Sequence, residues 1–442
     1  MSTHDNEKMS SIQPTLVSFS EEEVQAIAQH WIRMSDIKVG WIRDFNKLVV
    51  KYVMFLGFFP FNNKYIFIAT PFLMFDTFHS SSKLLKSFTG HTYYVYSIDY
   101  STLDGRNLLC SGSYDKRVCV WDVDAVKKIG SFNGHLDWVS CVKFSPYHYY
   151  NACRSVVCSS SNDKTIRFWD IKDNQPFQIF NEHNRGVCGI TFSPFNGGRY
   201  LCSGSFDNTI RLWDVETSKS VHVFNGHTNG IWCVNMSPVQ SNNNSDESKS
   251  DGIGVIGGNG YTICSGSFDR TIAIWDIETA QQSIVFKGHT GTVHSIKYGS
   301  NGLGNTGGSN TILSGAQDHS VRLWDIRSGE QLQVFDGHKS IVWAVEYSPF
   351  VLNNIDVGGN SNVICSGSFD NTVRFWDIRS NKKELFVIKG NDEEDKGIFC
   401  LAFASLRKKG KKQYTKNQIM IVVLIYVMVQ GKAQFVFGDK CM

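Results

Sequence analysis

The stretch "CSGSFDNTIRLWDV" at 202–215 returns as "CSGSFDRTIAIWDI" at 264–277 and "CSGSFDNTVRFWDI" at 365–378. A phrase repeated at this length is a repeated structural unit, and that unit limits the fold before any other property does. Aligning the chain on itself yields six units. They close on Trp121-Asp122, Trp169-Asp170, Trp213-Asp214, Trp275-Asp276, Trp324-Asp325 and Trp376-Asp377. They open on His91, His135, His183, His227, His289 and His338, preceded by Gly in five units and by Glu182 in the third. Most Trp-to-Trp steps lie near the about 40–45 residues of a four-stranded unit, and the longer ones carry insertions.

Strands can be read within a unit. "GIWCVNMSP" (230–238) alternates apolar and polar residues and stops at Pro238. "YTICSGS" and "TIAIWDI" are β-rich runs joined by the short polar turn "FDR", and "QQSIVFKGH" (282–289) is a fourth run leading to the next histidine. Four short strands cannot bury both faces alone, so each unit stacks on its neighbours, and a ring of them removes most exposed edges.

The polar residues that recur with Trp have a structural explanation. Each unit keeps a serine four residues before its turn aspartate: Ser111 and Asp115, Ser159 and Asp163, Ser203 and Asp207, Ser265 and Asp269, Ser314 and Asp318, Ser366 and Asp370. An indole N–H can donate to the hydroxyl, the hydroxyl to an imidazole nitrogen, and the imidazole to the carboxylate. Such a chain satisfies buried polar groups and fixes strand register. A nucleophilic triad would be built once, not six times, so no catalytic residue is assigned.

These His…Ser…Asp…Trp-Asp units, covering about 90–377, resemble the WD-repeat β-propeller family, of the G-protein β-like kind. The resemblance implies an all-β, seven-bladed propeller closed by the two ends of the chain, with "SKLLKSF" (82–88) as the outer strand of the last blade. A seventh unit begins at "VIKGNDEEDKGIFCLAF" (387–403), with Asn391 in place of histidine and with neither an Asp turn nor Trp-Asp. "IMIVVLIYVMVQ" (419–430) and "AQFVF" (433–437) would supply its next strands.

The resemblance also directs two slots towards the mouth of the central channel. Before the turn aspartates stand Tyr114, Asn162, Phe206, Phe268, Gln317 and Phe369. Five residues after the opening histidines stand Tyr96, Ser140, Cys188, Trp232, His294 and Trp343, with Phe399 in the seventh unit. Two readings stay open: the rings pack between blades, or Tyr96, Tyr114, Phe206, Trp232, Phe268, His294, Trp343, Phe369 and Phe399 anchor a peptide, with Arg or Lys inserted by cation–π contact. No arginine cluster falls on these slots, which argues against a phosphopeptide clamp.

The remaining segments divide the chain into 1–17 as a disordered N-terminus, 18–53 as a helical extension, 54–81 as an apolar linker and 82–442 as the propeller. Ser20 and Glu23 form a capping box, and Val24, Ile27, Ala28, Trp31 and Ile32 share one helical stripe. Residues 37–53 continue in helical spacing, for packing on the ring or docking a partner. "MFLGFFPFNNKYIFIATPFLMF" (54–75) is apolar enough to suggest a membrane anchor, but Pro60, "NNK" and Pro71 cut it into runs too short for one spanning helix. The insertions 239–260, 299–310 and 351–362 are rich in Asn, Gly and Ser and read as solvated loops, and "SLRKKGKKQYTK" (405–416) is a basic patch.

Net charge of +3 gives no reason to expect nucleic acid as the main partner. The polar N-terminus lacks an apolar signal core, so a reducing location, cytoplasmic or nuclear, is expected. Cys110, Cys158, Cys202, Cys264 and Cys365 repeat in one strand slot as core filler, without the paired spacing of a zinc site. The function expected is a non-catalytic scaffold for multiprotein complexes, binding proteins or peptides and neither small-molecule substrate nor cofactor. The alternatives are the peptide reader and a membrane-anchored adaptor through 54–75.

Overall fold

A computed structural model describes residues 54–61, 64–71, 73–74, 82–173, 175–237, 261–299, 311–348, 350–351, 363–379, 384–390, 397–407, 420–428 and 432–438. The expected helices at 18–53, the insertion 239–260 and most of the other inserted loops and the basic patch lie outside these residues. The chain divides into two compact units, Met1–Phe72 and Leu73–Met442. In the first, Met54–Phe61 and Lys64–Pro71 pair as an antiparallel hairpin, from Met54 opposite Pro71 to Phe61 opposite Lys64. The apolar run is thus two paired strands on either side of residues 62–63. Among the described residues no helix is long and apolar enough to cross a membrane.

The second unit is an all-β propeller whose six repeats give six four-stranded antiparallel blades. Each blade runs from an inner to an outer strand in chain order. The first is Val95–Leu103, Arg106–Ser113, Arg117–Asp122 and Lys127–Asn133. The third is Val187–Phe192, Tyr200–Ser205, Thr209–Asp214 and Lys219–Asn225, and the fourth is Ile231–Met236, Thr262–Ser267, Thr271–Asp276 and Gln282–Lys287. A further four-stranded sheet has the order Ile398–Arg407, Met420–Met428, Lys432–Gly438 and Ser82–Thr89. In it the last strand of the chain runs antiparallel to Ser82–Thr89, from Lys432 opposite Thr89 to Gly438 opposite Ser82.

Residue choice follows position in the blade. Tyr200–Ser205 is buried throughout, because it has a strand on each side and a blade over each face, and it carries small or apolar residues. The outer strand Lys219–Asn225 keeps Phe224 buried and leaves Lys219 and Val223 exposed. The core lies between blades: Cys202, Leu212 and Phe224 of the third pack with Ile231, Val234, Ile263 and Trp275 of the fourth. Burying a ring such as Phe224 contributes roughly 1.5–3 kcal/mol.

Close blade approach explains the glycine in "SGS". A Cβ on Gly204 would lie 2.7 Å from Ile231 Cγ2 and 2.9 Å from Val234 Cγ1; Gly112 and Gly315 meet the next blade in the same way, and Gly367 meets Ile398 and Leu401 of the further sheet. The second blade has Ser160 there, and its hydroxyl lies 3.0 Å from that of Ser140.

The expected polar chain forms in all six blades. In the third, Trp213 Nε1–H donates to Ser203 Oγ at 2.8 Å, Ser203 Oγ lies 2.8 Å from His183 Nε2, and His183 Nδ1 lies 2.8 Å from Asp207 Oδ2. Asp207 also accepts from Thr209 Oγ1 at 2.6 Å and from the Asn184 backbone at 3.0 Å, tying the aspartate turn to the histidine turn. The equivalent His–Ser distances are 2.7 Å for His91–Ser111, 2.8 Å for His135–Ser159, 2.7 Å for His227–Ser265, and 2.8 Å for both His289–Ser314 and His338–Ser366. Trp121, Trp169, Trp275, Trp324 and Trp376 each donate to the serine of their own blade. Asp115, Asp163, Asp269, Asp318 and Asp370 hold the matching histidines. A neutral imidazole with hydrogen on Nδ1 serves both partners, accepting at Nε2 and donating to the carboxylate.

Two predictions follow from these contacts. Gly204→Ala is expected to destabilise the fold by about 1–3 kcal/mol, because Ile231 and Val234 must move. Denaturant unfolding measures this, and an unchanged midpoint would mean that the neighbouring strand yields freely.

Acid is expected to weaken the ring in two stages. Burial disfavours the charged form of His135, His289 and His338, and their aspartates offset this only in part, so these imidazoles titrate below their ordinary value. Burial also opposes ionisation of Asp163, Asp207, Asp269, Asp318 and Asp370, but bonds led by the histidines outweigh it and hold the carboxyls well below the usual range. Both sets take up protons more readily unfolded than folded, the histidines below about pH 6.5 and the aspartates below about pH 3.9. Stability is complete above the first value and falls as pH drops through each. Thermal melting across pH is expected to show Tm falling below about pH 6.5 and again below about pH 4. A level Tm between about pH 7 and 5 would mean that folding leaves the imidazole titration unshifted, and a Tm that rises as pH falls would mean that the folded imidazoles already carry the proton.

Candidate functional site

The bond chain that stiffens each blade also aims its mouth residues. In every blade the residue before the turn aspartate donates its backbone N–H to the residue three after the opening histidine. Examples are Tyr114 to Tyr94 at 2.7 Å, Asn162 to Trp138 at 3.0 Å, Phe206 to Gly186 at 2.9 Å and Phe268 to Gly230 at 2.9 Å. The two turns of a blade therefore lie together on one face, with the mouth slots beside the inner strands.

All nine aromatic residues expected at the mouth come together. Tyr96 contacts Tyr114 at 6.3 Å between centroids and Phe399 at 5.3 Å. Phe206 lies 5.5 Å from Phe268 and 6.0 Å from Trp232. Trp232 reaches His294 and Trp343, each at 5.4 Å. Trp343 is 4.8 Å from Phe399, which meets Phe369 at 6.0 Å. The girdle has a buried floor and an open rim: His294 and Phe399 are both 7% exposed, Tyr114 44% and Phe369 46%.

Three rings escaped the slot reading: Tyr93, 4.8 Å from Tyr114, Tyr94, stacked on Phe399 at 5.9 Å, and Trp138. Trp138 lies 5.3 Å from Tyr96 and stacks on Trp232 at 6.2 Å, joining blades two apart. It stands three residues after His135, a slot with an aromatic in only one other unit, Tyr94. The stack passes the inner strand of the third blade, where Gly186, Cys188 and Gly189 stand, and Phe206 of that blade meets both indoles, at 6.3 and 6.0 Å. Trp232 and Trp343 likewise meet across the fifth blade, so indoles from alternate blades narrow the channel. Ser140 is engaged elsewhere, donating to the Val187 carbonyl.

The aromatic slots of the mouth carry no charged side chain. His294 has no charged neighbour acting on it, and burial alone pushes its pKa down to about 4, leaving it neutral near pH 7. Burial, then the neighbouring tyrosines, pushes the Tyr96 phenol up to about 12. The six serine–histidine–aspartate sets do not reach the mouth with free valence, since each serine oxygen accepts an indole N–H and both histidine nitrogens are engaged.

The opposite face carries a cavity of ≈ 310 Å³ at the far ends of the first three inner strands, lined by Tyr100, Lys143, Phe144, Tyr149, Tyr150 and Phe192 among others. Its charges are matched internally. Lys143 Nζ pairs with Asp99 at 2.9 Å, and Asp99 also accepts the Phe144 N–H at 2.9 Å.

The family of the WD domain, G-beta repeat, matches residues 82–122, 126–170, 174–214, 218–276, 280–325 and 329–377. Each match begins at the outer strand of one sheet and ends on the Trp-Asp strand of the next blade. Among curated proteins, the chain is similar to "Mitochondrial division protein 1" of Schizosaccharomyces pombe, 44% identical over 59 residues, 13% of this chain and 9% of the relative. It is similar to "Superkiller complex protein 8" of Dictyostelium discoideum, 37% identical over 68 residues, 15% of this chain and 22% of the relative. It is also similar to the "Peroxisomal targeting signal 2 receptor" of Mus musculus, 36% identical over 63 residues, 14% of this chain and 20% of the relative. The alignments thus span less than a quarter of each of these relatives. The repeats, their blades and their buried Trp–Ser–His–Asp chains agree on one conclusion: the chain belongs to the WD-repeat β-propeller family.

Proposed function

We propose that this chain is a non-catalytic scaffold that assembles partner proteins, and that the aromatic mouth is where it recognises a peptide segment of one of them. Repeat propellers of this family serve in general as protein-interaction platforms, and two of the similar proteins carry a complex or a receptor in their names. The observation that carries the mouth reading is the girdle itself, a half-exposed aromatic rim over a buried aromatic floor. Large rigid rings around a concavity supply binding area at little entropic cost and dominate peptide hot spots. The chemistry expected of an enzyme is absent from the reading because the nucleophile-like serines are spent on structure in every blade.

A seven-bladed ring belongs to the proposal. Its support is the sheet that pairs Ser82–Thr89 with Lys432–Gly438, and an inner strand, Ile398–Arg407, lying beside both Val95–Leu103 and Val342–Tyr347. Ile398 and Leu401 pack with Val373 and Phe375, while Cys400 and Ala402 pack with Val95 and Ile98. A cytoplasmic or nuclear setting accords with cysteines that are all free thiols among the described residues.

The competing reading, in which the rings serve blade packing alone, makes a different prediction. Proteins captured by the intact chain are expected to be lost from the Trp232→Ala/Phe268→Ala double variant, since removing two hot-spot rings costs each about 2 kcal/mol or more of binding. Circular dichroism and thermal melting must first show both chains folded. Capture of the same proteins by the folded variant would return these rings to packing and move the recognition surface elsewhere.

A further inference from the structure

Two polar atoms at the mouth have no partner. Trp343 Nε1 and His294 Nδ1 are buried without a hydrogen bond, on rings whose centroids are 4.1 Å apart, and His294 is 93% buried as a residue by its 7% exposure. An indole N–H can only donate, and a buried donor left unmet costs about 1–3 kcal/mol. The missing complement is an acceptor oxygen. A ligand lysine or arginine would bring further donors to this donor, and no carboxylate stands there to receive them.

The rim has the same sign. Lys116, Lys164, Arg185, Arg270 and Lys339 stand exposed on the turns of this face, and no carboxylate among the described residues pairs with them. Lys116 donates to the Leu136 carbonyl, which leaves its charge uncompensated. Most acidic groups of the face are withdrawn from its surface or paired. The six turn aspartates keep their carboxyls on the histidines, at most 10% exposed, and Glu182 pairs with Arg211. Asp137, which accepts from the neutral Asn162 amide and Trp138 N–H, and Asp336, exposed beside the sixth opening turn, are the exceptions.

We propose that the mouth takes an acidic peptide of a partner protein, with an acceptor oxygen on the Trp343 indole N–H and its carboxylates against the basic turns. This rests on the mouth being the recognition site, and it reverses the charge expected from cation–π chemistry alone. Apolar residues of the peptide would lie on Tyr114, Trp232 and Phe369. The chain's own run Asp392-Glu393-Glu394-Asp395, outside the described residues between Gly390 and Gly397, is the competing occupant.

Fluorescence anisotropy with three labelled peptide pools tests this on the full chain. The pools share one set of aromatic and aliphatic residues, and their variable positions hold Asp and Glu, Asn and Gln, or Lys and Arg. The acidic pool is expected to bind, to weaken with added salt, and to weaken about tenfold on Trp343→Phe, which keeps a ring but removes the donor. Arg270→Ala/Lys339→Ala, confined to the surface, is expected to weaken it too without lowering the melting temperature, and it stands in if the Trp343 variant does not fold. Preference for the basic pool, lost on Trp232→Ala, would overturn the charge assignment and leave the mouth as the recognition site. If no pool binds in a way that Trp232→Ala abolishes, both fall. Acidic binding that appears only after residues 392–395 are changed to Asn and Gln would assign the mouth to the chain's own run and overturn the partner.

Discussion

The Trp–Ser–His–Asp chain is the interaction on which the rest of the propeller depends. It joins the second and third strands of a blade through Trp213 and Ser203, and joins the turn before the first strand to the turn after the second through His183 and Asp207. All four groups are removed from water, so each bond, once lost, would leave a costly unmet partner. The cost of a slipped strand is therefore high at every blade. Register in a β-sheet is otherwise vulnerable, since a shift of one residue exchanges the faces. Fixed register in turn lets Gly204 sit against Ile231 and Val234 with no room for a methyl group.

The same constraint builds the aromatic face indirectly. Because Asp207 bonds both its own turn and the Asn184 backbone, the residue before it is held beside the start of the inner strand. The main chain of Phe206 is thereby fixed at the face, as are those of Tyr114, Phe268 and Phe369 in their blades. The frame supplies stiffness and the slot supplies chemistry, so a ring placed there meets its neighbours already ordered. That is the physical basis of a low entropic cost on binding.

How much of this could be read from sequence depended on whether a contact was local to one repeat. Every member of the bond network was legible, because its partners recur at fixed spacing and six copies check one another; Ala316 in the fifth unit singled out the correct serine of each pair. The slots that line the mouth were legible for the same reason. Trp138 was not, because its stack on Trp232 passes the inner strand of the blade between them, and no single repeat contains that information. The unpartnered indole of Trp343 was also invisible, since an unmet donor is defined by every atom around it. The hairpin Met54–Phe61 with Lys64–Pro71 escaped for a different reason: a continuous apolar run carries no alternation, and its length alone did not distinguish strand from linker.

The repeats also separate architecture from recognition by what they hold constant. Histidine, serine, aspartate and tryptophan are the same in all six units, as a frame of equal blades requires. The slot five residues after the histidine runs Tyr96, Ser140, Cys188, Trp232, His294 and Trp343, differing at nearly every step. A residue needed only for packing between equivalent blades would face nearly equivalent neighbours and would have little reason to vary so widely. A surface that must match one asymmetric partner needs each blade to contribute something different. The contrast between uniform frame and varied mouth therefore weighs toward recognition at the mouth.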